Sequence, residues 1–309
     1  MKRAFLIFVA VLSAATAVCG QEAAVPDKSS SLTLLQTVIP RDPAALGMGA
    51  TSALEAVSIA NSALFNPGVI PFSSVQTDFS ASYQMWQPDV PSSSGNVNVG
   101  FAYNHVNKFG VSISFASDRL SGYDVADDNG VIRSQYSPSN LLAALGIAFR
   151  FIPELAFSVT ARYLYSNIFD DVSYGSPSFD AGLTFGKGAF MAAAGISNAA
   201  PAVEGKYPLP ASVYVSGSYL AVWDKSELEL RAQSDIFLHG AVRAAAGASW
   251  TYGPVVARLG YNFGGKSPIG SFFSMGMGLS TGYVHADLAL LLGDGPMNKT
   301  LCAGVGFSF

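Results

Sequence analysis

The sequence predicts one transmembrane antiparallel β-barrel of about fourteen strands, preceded by a short segment that belongs to none of them. Three observations predict it. Only 12% of the residues are charged and 50% are hydrophobic, whereas a soluble domain carries about 25% charged residues. Beyond the N-terminus, no window offers the roughly 20 uninterrupted apolar residues of a membrane helix. From Val75 to Phe309, apolar and polar residues alternate with a period of two between turn signals. High hydropathy without membrane helices leaves strands closed into a ring as the spanning solution.

The chain opens on a secretory signal. Lys2-Arg3 supply the positive charge, Ala4–Val11 the apolar core and Ser13–Gly20 a small-residue exit, with cleavage expected before Gln21. Cys19 invites a lipoprotein reading, but Val18 before it suits that signal poorly. Once the signal is gone, Cys302 stands alone and no intrachain disulfide can form. Three segments are expected: a signal over 1–20, a periplasmic N-terminus and lumen plug over 21–72, and the barrel over 73–309. Gln21–Ser31 reads as a loose polar tail in the periplasm.

Arg41–Phe72 does not alternate. It is rich in small and apolar residues, with Gly47-Met48-Gly49 near its start and Asn66-Pro67-Gly68 near its end. Only a helical turn or two fits between those breakers. A surface linker would carry more charge and fewer Leu, Ile and Phe, so the segment is expected to lodge inside the barrel. Gly47, Met48, Gly49, Asn61, Asn66, Pro67 and Gly68 are its candidate structural residues.

The strands then follow in order. Val75–Trp86 sends Phe79, Ala81, Tyr83 and Met85 one way and Asp78, Ser80, Ser82 and Gln84 the other. Asn96–Val106 and Phe109–Ser117 form a hairpin about Asn107-Lys108, with Val97, Val99, Phe101, Val111, Ile113 and Phe115 toward lipid. A polar loop over Asp118–Asn140 leads to Leu141–Phe149 and Leu155–Ser166. A second polar loop, Asn167–Pro177, precedes Ser178–Phe185 and Ala189–Ser197, and Asn198–Leu209 is a third. Ala211–Leu220, Ser226–Ile236, Ala241–Trp250, Val255–Phe263, Ser271–Ser280, Tyr283–Leu292 and Thr300–Phe309 complete the set. Long connections alternate with short turns, which places all short turns on the periplasmic side.

Little in the sequence carries chemistry. His105, His239 and His285 have no ligand spacing, no nucleophile motif is present, and Gly47-Met48-Gly49 lacks the context of a nucleotide loop. No catalytic residue, metal or cofactor is expected. A net charge of −4 without a basic cluster argues against nucleic acid. Glu227, Glu229, Arg231 and Asp235 alternate on one strand and, with Arg162 and Arg258, are the candidate lumen residues; polar filling of a barrel interior is their simplest role. His285 and Asp287 share the inner face as a solvated pair. Trp86, Trp223 and Trp250 fit an interfacial aromatic belt. In the first long loop, Tyr123, Asp127, Asp128, Arg133 and Tyr136 are candidate partner contacts.

Arg41-Asp42-Pro43-Ala44-Ala45-Leu46-Gly47-Met48-Gly49-Ala50, then Asn61-Ser62 and Phe65-Asn66-Pro67-Gly68, resemble the start of the PorV/PorQ family of outer-membrane proteins. Tyr83–Pro88 resembles that group's aromatic first strand, and Tyr207-Pro208-Leu209-Pro210 its entry to a middle strand. Gly68 stands where that family usually has Ala. The resemblance implies a FadL-like fold, fourteen strands with an N-terminal plug. It further implies a non-enzymatic part in the type IX secretion pathway of Bacteroidota, with translocon or attachment-complex proteins as partners. The alternative is a FadL-like transporter, with outer-membrane lipid around it and a hydrophobic compound as ligand.

Overall fold

Alternation along each strand decides which side chains meet lipid, and in the computed structural model it closes a ring. The structure describes residues 37–309 except 56–57, 87–93, 121, 127–129, 170–171, 204–206, 266, 268 and 294–296; of Tyr123, Ala126 and Arg133 it describes the backbone only. The expected signal, the Gln21–Ser31 tail, Asp127 and Asp128 therefore lie outside the described residues.

The strands are β1 (Thr77–Trp86), β2 (Ser94–His105), β3 (Phe109–Arg119), β4 (Tyr123–Ala126), β5 (Ile132–Tyr136), β6 (Ser139–Ile152), β7 (Leu155–Phe169) and β8 (Val172–Lys187). They continue as β9 (Phe190–Ala199), β10 (Ser212–Trp223), β11 (Ser226–Phe237), β12 (Val242–Tyr252), β13 (Val255–Phe263), β14 (Phe272–Ser280), β15 (Val284–Gly293) and β16 (Thr300–Ser308). All but β4 and β5 form one closed antiparallel barrel of fourteen strands. Closure is made by β1, where Ala81 pairs with Val305 of β16 on one side and Val99 of β2 on the other. A closed ring leaves no strand edge unpaired, as a hydrocarbon environment requires.

The outward set is the one alternation indicates: Phe79, Phe101, Ile113, Phe115, Leu145, Leu288, Val305 and Phe307 are exposed on the wall. Their neighbours Ser80, Ala102, Ser112, Ser114, Ala144, Ala289 and Ser308 are buried inside. The inward residues are short, so room remains within the ring.

The described residues between 37 and 76 pack in that room. Asp42 caps the helix α1 (Pro43–Gly47), and two 3-10 turns follow at Ser62–Leu64 and Pro67–Phe72. Thr37 lies with Ser212, Phe237 and Ile269 at the end of the barrel that bears the longer connections. At the opposite end, Gln76 and Thr77 donate backbone hydrogen bonds to the Phe309 carbonyl at 2.7 and 2.9 Å. The segment thus runs through the barrel from one end to the other.

Two of the expected loops are partly strand. Within Asp118–Asn140, β4 and β5 pair as a separate hairpin. Its cue was present: Tyr123-Asp-Val and Ile132–Tyr136 alternate around Asn129-Gly130, and Gly130 takes the positive φ of 76° that such a turn uses. Asp118 is no loop charge but the last inward residue of β3, and it is buried. Likewise Asn167–Pro177 continues the ladder to a Phe169–Val172 pair, because Ile168, Phe169, Val172 and Tyr174 sustain strand pairing past the membrane.

Candidate functional site

The interior is built from one backbone fitted against a wall of small residues. The Asp42 carboxylate accepts from the Ala44 and Ala45 amides at 2.8 and 3.2 Å, and Pro43 holds the first turn of α1. The next residues touch the wall main chain to main chain. Gly49 has φ 72°, donates to Ser274 Oγ at 2.9 Å, and faces Gly260, where a Cβ would stand 2.0 Å from the Gly49 nitrogen. Both positions require glycine for that approach. Gly47 and Met48 pack beside them, against Gly276 and Gly247.

Asn66 does three jobs with one amide. Its Oδ1 caps the Pro67–Phe72 turn through the Gly68 amide at 3.0 Å, while its Nδ2 donates to the Ala53 carbonyl and to Thr184 Oγ1, both at 2.9 Å. Pro67 starts the turn, and Gly68 lies against Thr184 with no space for a side chain. Asn61 Nδ2 donates to Ser80 Oγ at 2.9 Å.

The buried arginines inside the ring are each paired with a carboxylate. Arg231 holds Glu55 at 2.5 Å and Glu229 at 2.6 Å; Arg243 holds Asp235 at 2.8 Å; Arg258 holds Asp287 at 2.5 Å. Arg162 pairs with Asp180 and also donates to the Leu64 carbonyl at 2.8 Å, and Arg41 pairs with Asp118 at 2.6 Å beside Asn96. Two of these pairs, through Arg41 and Glu55, bind the N-terminal segment to the wall. A buried pair of this kind contributes little net stability when intact, but removing one partner strands the other charge.

Five of the six candidate lumen residues are thus engaged in the interior: Glu229, Arg231, Asp235, Arg162 and Arg258. Asp235 serves Arg243, not Arg231, and Glu227 is exposed near the short-turn end of β11. His285 and Asp287 are buried, not solvated. Ser308 Oγ donates to Asp78 and lies 3.3 Å from His285 Nδ1, so the hydroxyl sits between acid and imidazole and no nucleophile relay results. Among the described residues no metal-binding group of three acidic, His or Cys side chains occurs. Sequence reasoning missed Arg41, Glu55, Arg243, Asp180 and Asp118 as interior charges. For the strand residues among them, inward parity was the available signal.

In the outer loop, Tyr136 donates to Asn167 Oδ1 and its ring lies 5.6 Å from that of Phe169. It fastens the hairpin to the end of β7. Tyr123 and Arg133 are placed by their backbone in β4 and β5.

At the long-connection end a cavity of about 60 Å³ enters the ring, lined by Val38, Leu64, Phe65, Phe237 and Ile269 together with Arg162, Tyr214, Asp235 and Arg243. Leu64 also belongs to an apolar cluster with Ala116, Leu142, Ala144 and Leu164 of the wall and Val203 and Leu209 of the overlying connection; Phe65 packs against it. A buried apolar cluster therefore joins the overlying connection and Leu64 to β3, β6 and β7 at this end of the ring.

No protein-family model matches the chain, and no curated protein matches it in sequence. Among solved structures it shares its fold with the Pseudomonas putida toluene transporter TodX (TM-score 0.63, 12% identity, 87% of this chain and 98% of that one). It is similar also to the Ralstonia pickettii toluene transporter TbuX (TM-score 0.58, 12% identity, 86% and 96%). A Pseudomonas aeruginosa FadL homologue matches with TM-score 0.50 at 11% identity over 87% and 97%. The chain thus has the FadL-like fourteen-stranded barrel fold; no family match stands behind the PorV/PorQ resemblance, which is motif-specific mainly in residues 41–88.

Proposed function

We propose that this chain is a non-enzymatic outer-membrane transporter of hydrophobic small molecules, closed in the conformation seen here. The carrying observation is the apolar strip from Val203 and Leu209 at the mouth to Leu142 and Leu164 inside, set in a wall whose inner face is largely polar apart from a second apolar cluster about Phe272 and Leu291. A channel for ions or sugars has no use for such a strip, whereas a hydrophobic solute leaving water is drawn along it. The shared fold with toluene transporters supports the same reading.

On this reading residues 1–20 are the export signal, the segment from Arg41 to Phe72 is the plug and residues 73–309 are the barrel. Gly47, Met48 and Gly49 anchor the plug on β13 and β14, while Asn61, Asn66, Pro67 and Gly68 shape the part that flanks the apolar strip. Solute passage requires the second part to shift while the first holds. Arg162, Arg231, Asp235, Arg258 and Glu229 keep the rest of the lumen closed to small solutes, and Glu227 lies at the periplasmic rim. The type IX secretion role implied by the sequence resemblance has no matching relative behind it, and Tyr136, one of its two aromatic anchors, is tied to β7.

The test is accumulation of radiolabelled toluene by intact cells of a Gram-negative host that lacks its own hydrocarbon channel. Production of this protein should speed uptake over the empty host without admitting labelled sucrose. Uptake equal to the empty host's, with the barrel folded in the outer membrane, would overturn the proposal.

A further inference from the structure

The outward wall carries a depression of its own, independent of the lumen. Across β2, β3, β6 and β7, in the half of the barrel nearer the long connections, it encloses about 490 Å³. Its floor is Ser117 and Ala143, whose short side chains leave a hollow between Phe115, Leu141, Tyr163 and Tyr165. The register makes the hollow continuous: Ala143 lies opposite Phe115 and Tyr163, and Leu141 opposite Ser117 and Tyr165.

One outward step above Ser117 stands Arg119. It is exposed, it pairs across the ladder with Gly95 and Ser139, and neither neighbour has the bulk to cover it. Among the described residues it has no acidic partner, whereas Arg41, Arg162, Arg231, Arg243 and Arg258 are all paired within the ring. An apolar hollow thus ends, toward the membrane surface, at an unneutralised guanidinium.

We propose that this hollow is a binding site for one acyl chain of lipid A, with Arg119 on the lipid's phosphate. Lipid A is the phosphorylated, multiply acylated lipid of the outer leaflet, where strand direction puts the hollow. A guanidinium matches phosphate with two parallel hydrogen bonds, which a zwitterionic headgroup with its own ammonium satisfies less well. An arginine that merely reaches for water needs no hollow beneath it. Here the charge and the acyl-sized space are stacked in the order that such a lipid presents them.

Purified protein in nanodiscs of phosphatidylcholine, with and without lipid A, would be read by native mass spectrometry. One lipid A should stay bound per chain at activation energies that strip phosphatidylcholine. Arg119→Gln should lower its retention about ten-fold, the loss of one charge-assisted contact. Ala143→Phe should abolish retention by filling the floor, while the same change at outward-facing Ala257, on β13 across the ring, should leave it intact. Ser117→Leu fills the same floor if Ala143→Phe does not fold. Equal retention by the wild type, Arg119→Gln and the filled variants would overturn the proposal. So would a doubled protein mass in place of a lipid adduct, which would assign the hollow to a second copy of the chain.

Discussion

Two sides of the same lumen are built by different rules. Against β12 to β14, residues 47–49 meet the wall through glycines, main chain to main chain, with Gly49 over Gly260 and Gly47 over Gly276, while Leu46 and Ala50 pack on Phe272 and Ile269 beside them. Against β3, β6 and β7, residues 61–72 meet it through Leu64, Ala63 and Ile70 on alanines, leucines and glycines. On the second side, buried polar atoms without partners among the described residues include the Ser112 and Thr160 hydroxyls and Arg162 Nε. Interlocked backbone has no alternative packing nearby, because no rotamer change relieves it. Side chains sliding on side chains do. One segment can therefore be both anchor and gate, provided the two functions sit on opposite walls.

The comparison is broken most severely at its tight side. Gly260→Val puts side-chain carbons where the Gly49 amide lies, so residues 43–50 cannot seat at all. Protease treatment of extracted membranes should then cut within 43–50 while the barrel fragment survives; an uncut segment would mean that the glycine contact does not anchor it. Next comes Arg231→Met, which leaves Glu55 and Glu229 facing each other without their cation. Uncompensated buried charge should lower stability to urea by about 3–5 kcal/mol, and a Glu55→Gln/Glu229→Gln/Arg231→Met triple variant should recover much of it.

The loose side should give smaller numbers. Ala144→Val adds two carbons beside Leu64 and should cost about 1–3 kcal/mol, with toluene uptake slowed because the strip is narrowed. Were it as disruptive as Gly260→Val, the two walls would not differ in kind. Asn66→Ala removes the cap together with the buried hydrogen bonds to Ala53 and Thr184, and should cost about 2 kcal/mol. Its clearer readout is faster amide exchange over 66–72 with exchange over 43–50 unchanged.

How much of this was legible in the sequence follows from what alternation encodes. A period of two fixes the face of every residue, so Phe101, Ile113, Val305 and the ring of fourteen were readable. Parity says which residues point inward but not what they meet. Asn98 shows the gap: an inward asparagine looks like a lumen position where lysine costs little, yet it is fully buried and a lysine there has no water to reach. The ion pairs were hidden for a related reason. Arg231 and Glu55 are 176 positions apart, Arg41 and Asp118 are 77 apart, and no local pattern links them. The β4–β5 hairpin, by contrast, was readable from Asn129-Gly130 and was lost among the charges around it.

On the proposed reading, a hydrophobic solute travels along the β3, β6 and β7 wall. An alkyl-benzene bearing a photoactivatable diazirine, supplied to intact cells and mapped by peptide mass spectrometry after irradiation, reads that path directly. The account predicts label on Leu64, Phe65, Leu142, Leu164, Val203 and Leu209, reduced by excess toluene. Label confined to the outward residues of the wall, with none on those six, would contradict it.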